Sequence, residues 1–194
     1  TTLDVLKGNA GNDSVLVSGG TFSAIGLSSG SDTITLADGA ATAHIKQLSL
    51  GDGHDQIASS STIEFNTAGS VIGGAGRDTI EFSVGAGSQT AFINGGALQD
   101  VIQLNGTLTN ASTVKGMGGN DTITMSGDGA TSAFITLGAG ADKLTLSGLN
   151  DGATIGGGSG NDSIAILDGG EESAEIFGGS GNDSISFNAI ATAE

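Results

Sequence analysis

The sequence predicts an all-β fold, a right-handed parallel β-solenoid of about nine coils with about 21 residues in each. Three observations predict it. A six-residue turn ending in aspartate recurs at Asp13, Asp32, Asp55, Asp78, Asp100, Asp121, Asp142, Asp162 and Asp183, at intervals of 19, 23, 23, 22, 21, 21, 20 and 21 residues. The residues two and four places after eight of the nine Asp are apolar and those between them mostly polar, which is the period of a strand buried on one face. Finally, 36 Gly, seven Phe and no Pro, Trp or Tyr leave too few large side chains for one globular core, yet 37% hydrophobic residues suffice for a small core in every coil. A coil this short has no room for the hairpins of a barrel, so each strand must pair in parallel with its equivalent one coil away.

Taken in order around a coil, the strand after the loop places Val15 and Val17, Ile34 and Leu36, Ile80 and Phe82, Ile102 and Leu104, Ile123 and Met125, Leu144 and Leu146, Ile164 and Ile166, and Ile185 and Phe187 inward. Thr33, Thr35, Thr122, Thr124, Ser184 and Ser186 face solvent between them. The third repeat is weaker, with Ser59 in the second apolar slot. The far turn carries ordinary turn formers at Asp38-Gly39, Asp128-Gly129, Asp151-Gly152 and Asp168-Gly169-Gly170. Near His44 and Ile63 to Phe65 the coils lengthen to 23 residues, which either bulges this turn or adds a short third side. The strand before the loop points a small and then a branched residue inward: Ala91 and Ile93, Ala133 and Ile135, Ala153 and Ile155, Ala174 and Ile176. Its outward positions include Val5, Ile72, Phe92, Phe134 and Phe177, with Thr113, Thr154 and Glu175 among them. Such a strip is either an interface or a surface covered by another part of the protein. Residues 1–194 read as a single repeat domain. Because the chain opens at Thr1 already inside the pattern, it reads as a processed product or a segment of a longer protein.

Charge narrows the partners. Twenty-one acids against Lys7, Lys46, Arg77, Lys115 and Lys143 give a formal net charge of -16, which disfavours nucleic acid and anionic membrane surfaces and favours divalent cations. No apolar run approaches the roughly 18 residues of a membrane span, so membrane insertion is not expected. The absence of cysteine excludes disulfides and thiolate metal sites.

The loop carries the chemistry. Gly at its first, second and fourth places permits left-handed or tightly curved backbone that turns carbonyl oxygens inward, and the Asp adds a hard anionic oxygen. Calcium coordinates such oxygens. The candidate ligands are therefore the nine loop aspartates, with backbone carbonyls near Gly11, Gly30, Gly53, Gly74, Gly76, Gly96, Gly119, Gly140, Gly158, Gly160, Gly179 and Gly181. One ion in each gap between stacked loops gives up to about eight ions. Gly and Asp are also plain turn residues, but nine copies in register would stack like charges every ~4.8 Å without counterions.

The copies GGSGND at Gly157 and Gly178, GGAGRD at Gly73, GMGGND at Gly116 and GNAGND at Gly8 resemble the hemolysin-type calcium-binding repeat of secreted RTX proteins, GGxGxDxUx. That resemblance covers nearly the whole chain. It implies a parallel β-roll or β-helix, calcium held by loop Asp and loop carbonyls, type I secretion from a Gram-negative bacterium, and folding outside the cell. This chain departs from the usual roll in carrying the motif on one turn per coil, which resembles the one-sided calcium solenoids of giant bacterial adhesins and surface-layer proteins. Copies also drift, as LSSGSD at Leu27, LGDGHD at Leu50, GGALQD at Gly95 and LGAGAD at Leu137.

Catalysis is not expected. His44 and His54 are the only histidines, no G-x-S-x-G elbow is present, and His54 occupies the variable fifth place of a loop, where a solvent-facing side chain is expected. Glu171-Glu172 reads as a solvated turn. Ice binding would need a flat row of Thr or Asn, and the third loop place, Ala10, Ser29, Asp52, Ala75, Ala97, Gly118, Ala139, Ser159 and Ser180, holds none. The resulting expectation is a calcium-stabilised structural or assembly module of a secreted surface protein, foremost a surface layer, which self-associates or meets neighbouring surface domains. An extender or ligand-binding segment of a large adhesin is the first alternative, and the calcium-binding tail of a secreted protease or lipase the second.

Overall fold

The computed structural model describes residues 2–18, 20–36, 43–64, 69–84, 91–106, 108, 111–127, 132–149, 152–169 and 173–189. Among them are nineteen strands and no helix. In chain order they begin with β1 (Thr2–Lys7), β2 (Ser14–Val17), β3 (Gly20–Ser29), β4 (Thr33–Leu36), β5 (Ala43–Ile45), β6 (Gln47–Asp52) and β7 (Gln56–Glu64). The middle of the chain forms β8 (Gly69–Ala75), β9 (Thr79–Val84), β10 (Ala91–Ala97), β11 (Val101–Asn105), β12 (Thr113–Gly118) and β13 (Thr122–Met125). It ends with β14 (Phe134–Ala139), β15 (Lys143–Leu146), β16 (Thr154–Ser159), β17 (Ser163–Gly169), β18 (Glu175–Ser180) and β19 (Ser184–Ala189).

Every pairing is parallel and joins equivalent strands of successive coils. One ladder runs β1, β3, β6, β8, β10, β12, β14, β16, β18 on the chain entering the loops. The other runs β2, β4, β7, β9, β11, β13, β15, β17, β19 on the chain leaving them. This is a parallel β-solenoid. About seven turns at ~21-residue spacing make up its body, slightly fewer than the nine coils expected from the motif count. The end copies have a neighbour on one side only: Asp32 through Asp162 are buried, while Asp13 and Asp183 are partly open.

Period-two patterning sets the core. Ile34, Ile57, Ile80, Ile102, Ile123 and Leu144 follow one another along the axis with none of their surface exposed, and Ile164 continues the row. Val71, Ile93, Val114, Ile135 and Ile155 form the facing row from the other ladder. Each fully buried aliphatic side chain contributes roughly 1.5–3 kcal/mol, so the core is built from many equal small increments rather than a few large aromatics. Val17, Leu36, Phe82, Leu104, Met125, Leu146 and Ile166 fill the second inward slot as expected. Val15, Ala174 and Ile176 are partly buried, and Ile185 and Phe187 are about half exposed, since they lie in end coils.

The lengthened coils add a short third side. β5 pairs with Gly20 to Phe22 of β3, and Ala43 and His44 pair with Ile63 and Glu64 of β7. The remaining turn residues Asp38-Gly39, Phe65, Asp128-Gly129, Asp151, Gly170 and Glu171-Glu172, and the side chain of Ser59, lie outside the described residues. The outward strip is uneven. Phe134 and Phe177 are exposed, at 46% and 55%, and so is Val5, whereas Ile72 and Phe92 are half-buried. Lys115 on the neighbouring coil lays its ammonium 5.7 Å from the centre of the Phe92 ring, which covers it.

Candidate metal centre

Each loop joins the two ladders through six residues, and all nine repeat one backbone conformation. The second place is left-handed in every copy, at Asn9, Ser28, Gly51, Gly74, Gly96, Met117, Gly138, Gly158 and Gly179, with φ from 73° to 121°. So is the fourth, at Gly11, Gly30, Gly53, Gly76, Leu98, Gly119, Gly140, Gly160 and Gly181, with φ from 74° to 149°. Conformation therefore explains glycine at these two places. It does not explain glycine at the first place, where φ is not left-handed. There the reason is space. A Cβ on Gly73, Gly95, Gly116, Gly157 or Gly178 would stand 2.5–2.7 Å from the Oδ2 of the Asp five residues on, and Gly8 is likewise against Asp13. The expectation that all three glycines serve backbone curvature is corrected accordingly.

The nine aspartates lie in one row along the corner, with their carboxyl groups turned into the rod. The backbone N–H of Asp13 donates to Oδ1 of Asp32 at 2.8 Å, and the same bond repeats coil by coil through Asp55, Asp78, Asp100, Asp121, Asp142, Asp162 and Asp183. Oδ1 is thus committed to holding the loops in register. Oδ2 has no partner within the protein, although it is buried, at Asp13, Asp32, Asp55, Asp78, Asp100, Asp121, Asp142 and Asp162. The drifted copies around Asp32 and Asp100 share this arrangement fully.

A buried carboxylate oxygen without a donor costs several kcal/mol unless the group takes a proton or a cation. Titration follows that cost. Burial pushes the Asp100 carboxyl up to about 7, opposed by the hydrogen bond with Asp78 and reinforced by the charges of Asp78 and Asp121. Burial likewise raises Asp78 and Asp121 to about 6, and it raises Asp55 and Asp142. Backbone hydrogen bonds oppose each of these shifts, and neighbouring aspartates on the row add to them.

Loop carbonyls lie at the same corner. Those of Gly11, Gly30, Gly53, Gly119, Gly140 and Gly160 occupy the place a Cβ would take on the fourth residue of the following loop, and those of Gly74 and Gly158 the place a Cβ would take on its second residue. Gly76, Gly96, Gly179 and Gly181 hold the same loop conformation. Carbonyl oxygens and unpartnered carboxylate oxygens fit a hard divalent cation such as calcium. Among the described residues no three His, Cys, Asp or Glu side chains converge on one point. The acids are spread one per coil, so any ion held here relies on carbonyls for most of its shell.

One set of loop residues was not anticipated. The fifth-place side chain accepts the backbone N–H of the fifth residue one coil on: Asn12 Oδ1 from Ser31, His54 Nδ1 from Arg77, Asn120 Oδ1 from Ala141, and Asn161 Oδ1 from Asn182, at 2.8–3.0 Å. Recurrent Asn before Asp in the GND copies was the available hint. His54 is exposed, as expected, but it serves this ladder.

A family model described as the RTX calcium-binding nonapeptide repeat (4 copies) matches residues 3–21 and 166–189. No curated protein and no solved structure matches the chain. The matched residues include the loops at Asp13 and Asp183, while the drifted copies lie between them. These matches support calcium as the ion and, with the parallel solenoid, fit an RTX-type repeat protein.

Proposed function

We propose that this RTX-type repeat protein is a calcium-stabilised structural module of a secreted bacterial surface protein, with a surface layer as its setting. The reading is supported first by the row of eight buried Oδ2 atoms without partners, one in each gap between nine stacked loops. Eight uncompensated carboxylates inside one rod oppose folding, and a cation in each gap reverses the sign of that contribution. RTX repeats are typical of secreted Gram-negative proteins, which supports placement outside the cell, where calcium is abundant. The role is structural rather than enzymatic: the acids form a translational row instead of meeting in a cleft, and the exposed Phe134 and Phe177 suit contacts with neighbouring surface domains.

Calcium binds the folded chain and not the unfolded one, so it drives folding by mass action. Circular dichroism is expected to change from coil to strand on calcium titration, with magnesium a poor substitute because it demands a compact octahedral shell. An unchanged, fully folded spectrum after exhaustive chelation would sink this reading. Electron microscopy with calcium tests the surface-layer setting separately. Ordered sheets are expected, and dispersed single rods would turn the reading toward an adhesin segment.

A further inference from the structure

The first loop place is not uniform. Along the column it reads Gly8, Leu27, Leu50, Gly73, Gly95, Gly116, Leu137, Gly157 and Gly178, one residue per coil in continuous register. Where this residue is Gly, the space a side chain would fill is bordered by Oδ2 of the Asp five residues on, and at three of the six copies by a carbonyl oxygen of the next coil as well. At Gly73 these are Asp78 Oδ2 and the Gly95 carbonyl, at Gly116 Asp121 Oδ2 and the Leu137 carbonyl, and at Gly157 Asp162 Oδ2 and the Gly178 carbonyl. In each case the carboxylate belongs to the same coil and the carbonyl to the next. Leu27, Leu50 and Leu137 set an isobutyl group at the same place, and none of their surface is exposed.

We infer that the gaps are of two classes, and that the first loop residue decides which. Gaps that follow a Gly-first loop bring an unpartnered carboxylate oxygen into the place a side chain would fill, and they hold a divalent cation tightly. Gaps that follow Leu27, Leu50 and Leu137 carry hydrocarbon in that space, which removes room and donors for the ion and for its remaining water. They bind at least tenfold more weakly. Nine loops make five Gly-first gaps, after Gly8, Gly73, Gly95, Gly116 and Gly157, and three Leu-first gaps. Three of the five tight sites thus form a continuous block in mid-rod, flanked by Leu-first coils. The weak sites divide the cation row into segments that load separately. This inference rests on the calcium reading above and adds which residues rank the sites.

The test is calcium binding to the whole chain, counted by equilibrium dialysis and followed by calorimetry. Five ions in a tight phase and up to three in a weaker one are expected. Asp78→Asn and Asp55→Asn keep the Oδ1 acceptor that joins the loops and delete the charge in adjacent coils of opposite class. Asp78→Asn is expected to remove an ion from the tight phase, while Asp55→Asn leaves the tight phase at five. Gly116→Ala, which puts a single methyl group into the space, is expected to move one ion from the tight to the weak phase. Circular dichroism at saturating calcium identifies any variant that fails to fold, and the asparagine pair, being isosteric, keeps the comparison usable if Gly116→Ala does. One phase of eight equal ions, or equal losses from Asp55→Asn and Asp78→Asn, would overturn the two classes while leaving calcium binding intact. No bound calcium at all would overturn both.

Discussion

The loop corner and the outer face of the strand entering it are built on the same repeat, yet they treat sequence oppositely. At the corner two places are left-handed in all nine coils, and a third is Gly or Leu throughout. Three residues before the loop, the outward column of that strand runs Ser70, Phe92, Thr113, Phe134, Thr154 and Glu175, with no one residue type kept from coil to coil. The difference is one of backbone contact. At the corner successive coils touch through carbonyl oxygens, Cα atoms and a buried carboxyl, so a wrong side chain strikes main chain. On the outer face the ladder bonds are made by backbone groups alone, and any residue that tolerates a strand will serve. Repetition is therefore enforced where coils meet and relaxed where they face outward, which leaves the outer face free to carry partner specificity.

Several changes would break or sharpen that contrast, and the largest effect is expected from the acid row. Each interior coil touches two neighbours, so Asp121→Ala should cost roughly 2–4 kcal/mol in calcium by breaking a loop bond and stranding adjacent donors. Asp183→Ala should cost about 1 kcal/mol and fray one end. Denaturant unfolding of both at equal calcium checks this, and equal losses would show that coils do not depend on their neighbours.

Next comes a small residue at each location. Gly140→Ala combines a φ of 146° with a Cβ aimed at the Gly119 carbonyl oxygen, and at least about 2 kcal/mol of destabilisation is expected. Phe134→Ser with Phe177→Ser, on the exposed face, should stay within about 1 kcal/mol of the parent but reduce calcium-dependent self-association in sedimentation. If the phenylalanine pair proves the more destabilising, the contrast between corner and face fails.

Acidity separates the two as well, because among the described residues only the corner holds buried titratable groups with raised values. Without metal, the folded form of Asp78, Asp100 and Asp121 keeps protons up to about pH 6–7, whereas the unfolded chain releases them near the ordinary 3.8. The folded state then binds more protons, so metal-free stability is greatest at the acid end and falls as pH rises through about 6 to 7. In chelator, strand content by circular dichroism is expected to be higher at pH 5 than at pH 8. Equal spectra would show that the row does not govern metal-free folding.

The smallest effect concerns the two apolar residues that the corner holds in left-handed conformation. Leu98 and Met117 have φ of 74° and 88° and are 57% and 46% exposed, so they accept strain without gaining burial. Leu98→Gly should relieve that strain, offset by the greater freedom of Gly in the unfolded chain, for a net gain of up to about 1 kcal/mol in thermal unfolding. A loss instead would show that the Leu98 side chain packs against something that stabilises it.

Much of this molecule was legible in its residues because translational repetition is written directly into sequence. The period of about 21 places nine aspartates in one row, and alternation assigns Ile80, Ile102 and Ile123 to a single buried column. What one coil demands of itself, such as alternation, turn formers and a carboxylate at the corner, can be read from one copy. What one coil demands of the next cannot. Tertiary structure alone decided that Asp Oδ1 binds the preceding coil while Oδ2 is left unpartnered, and that the first glycine clears room for that carboxyl rather than bending the chain. It also decided that Asn12, His54, Asn120 and Asn161 link loop to loop, that β5 opens a third side, and that Lys115 covers Phe92 while Phe134 stays bare. Each of these depends on the distance between backbones one coil apart, and periodicity places residues in the same column without stating how closely their atoms approach.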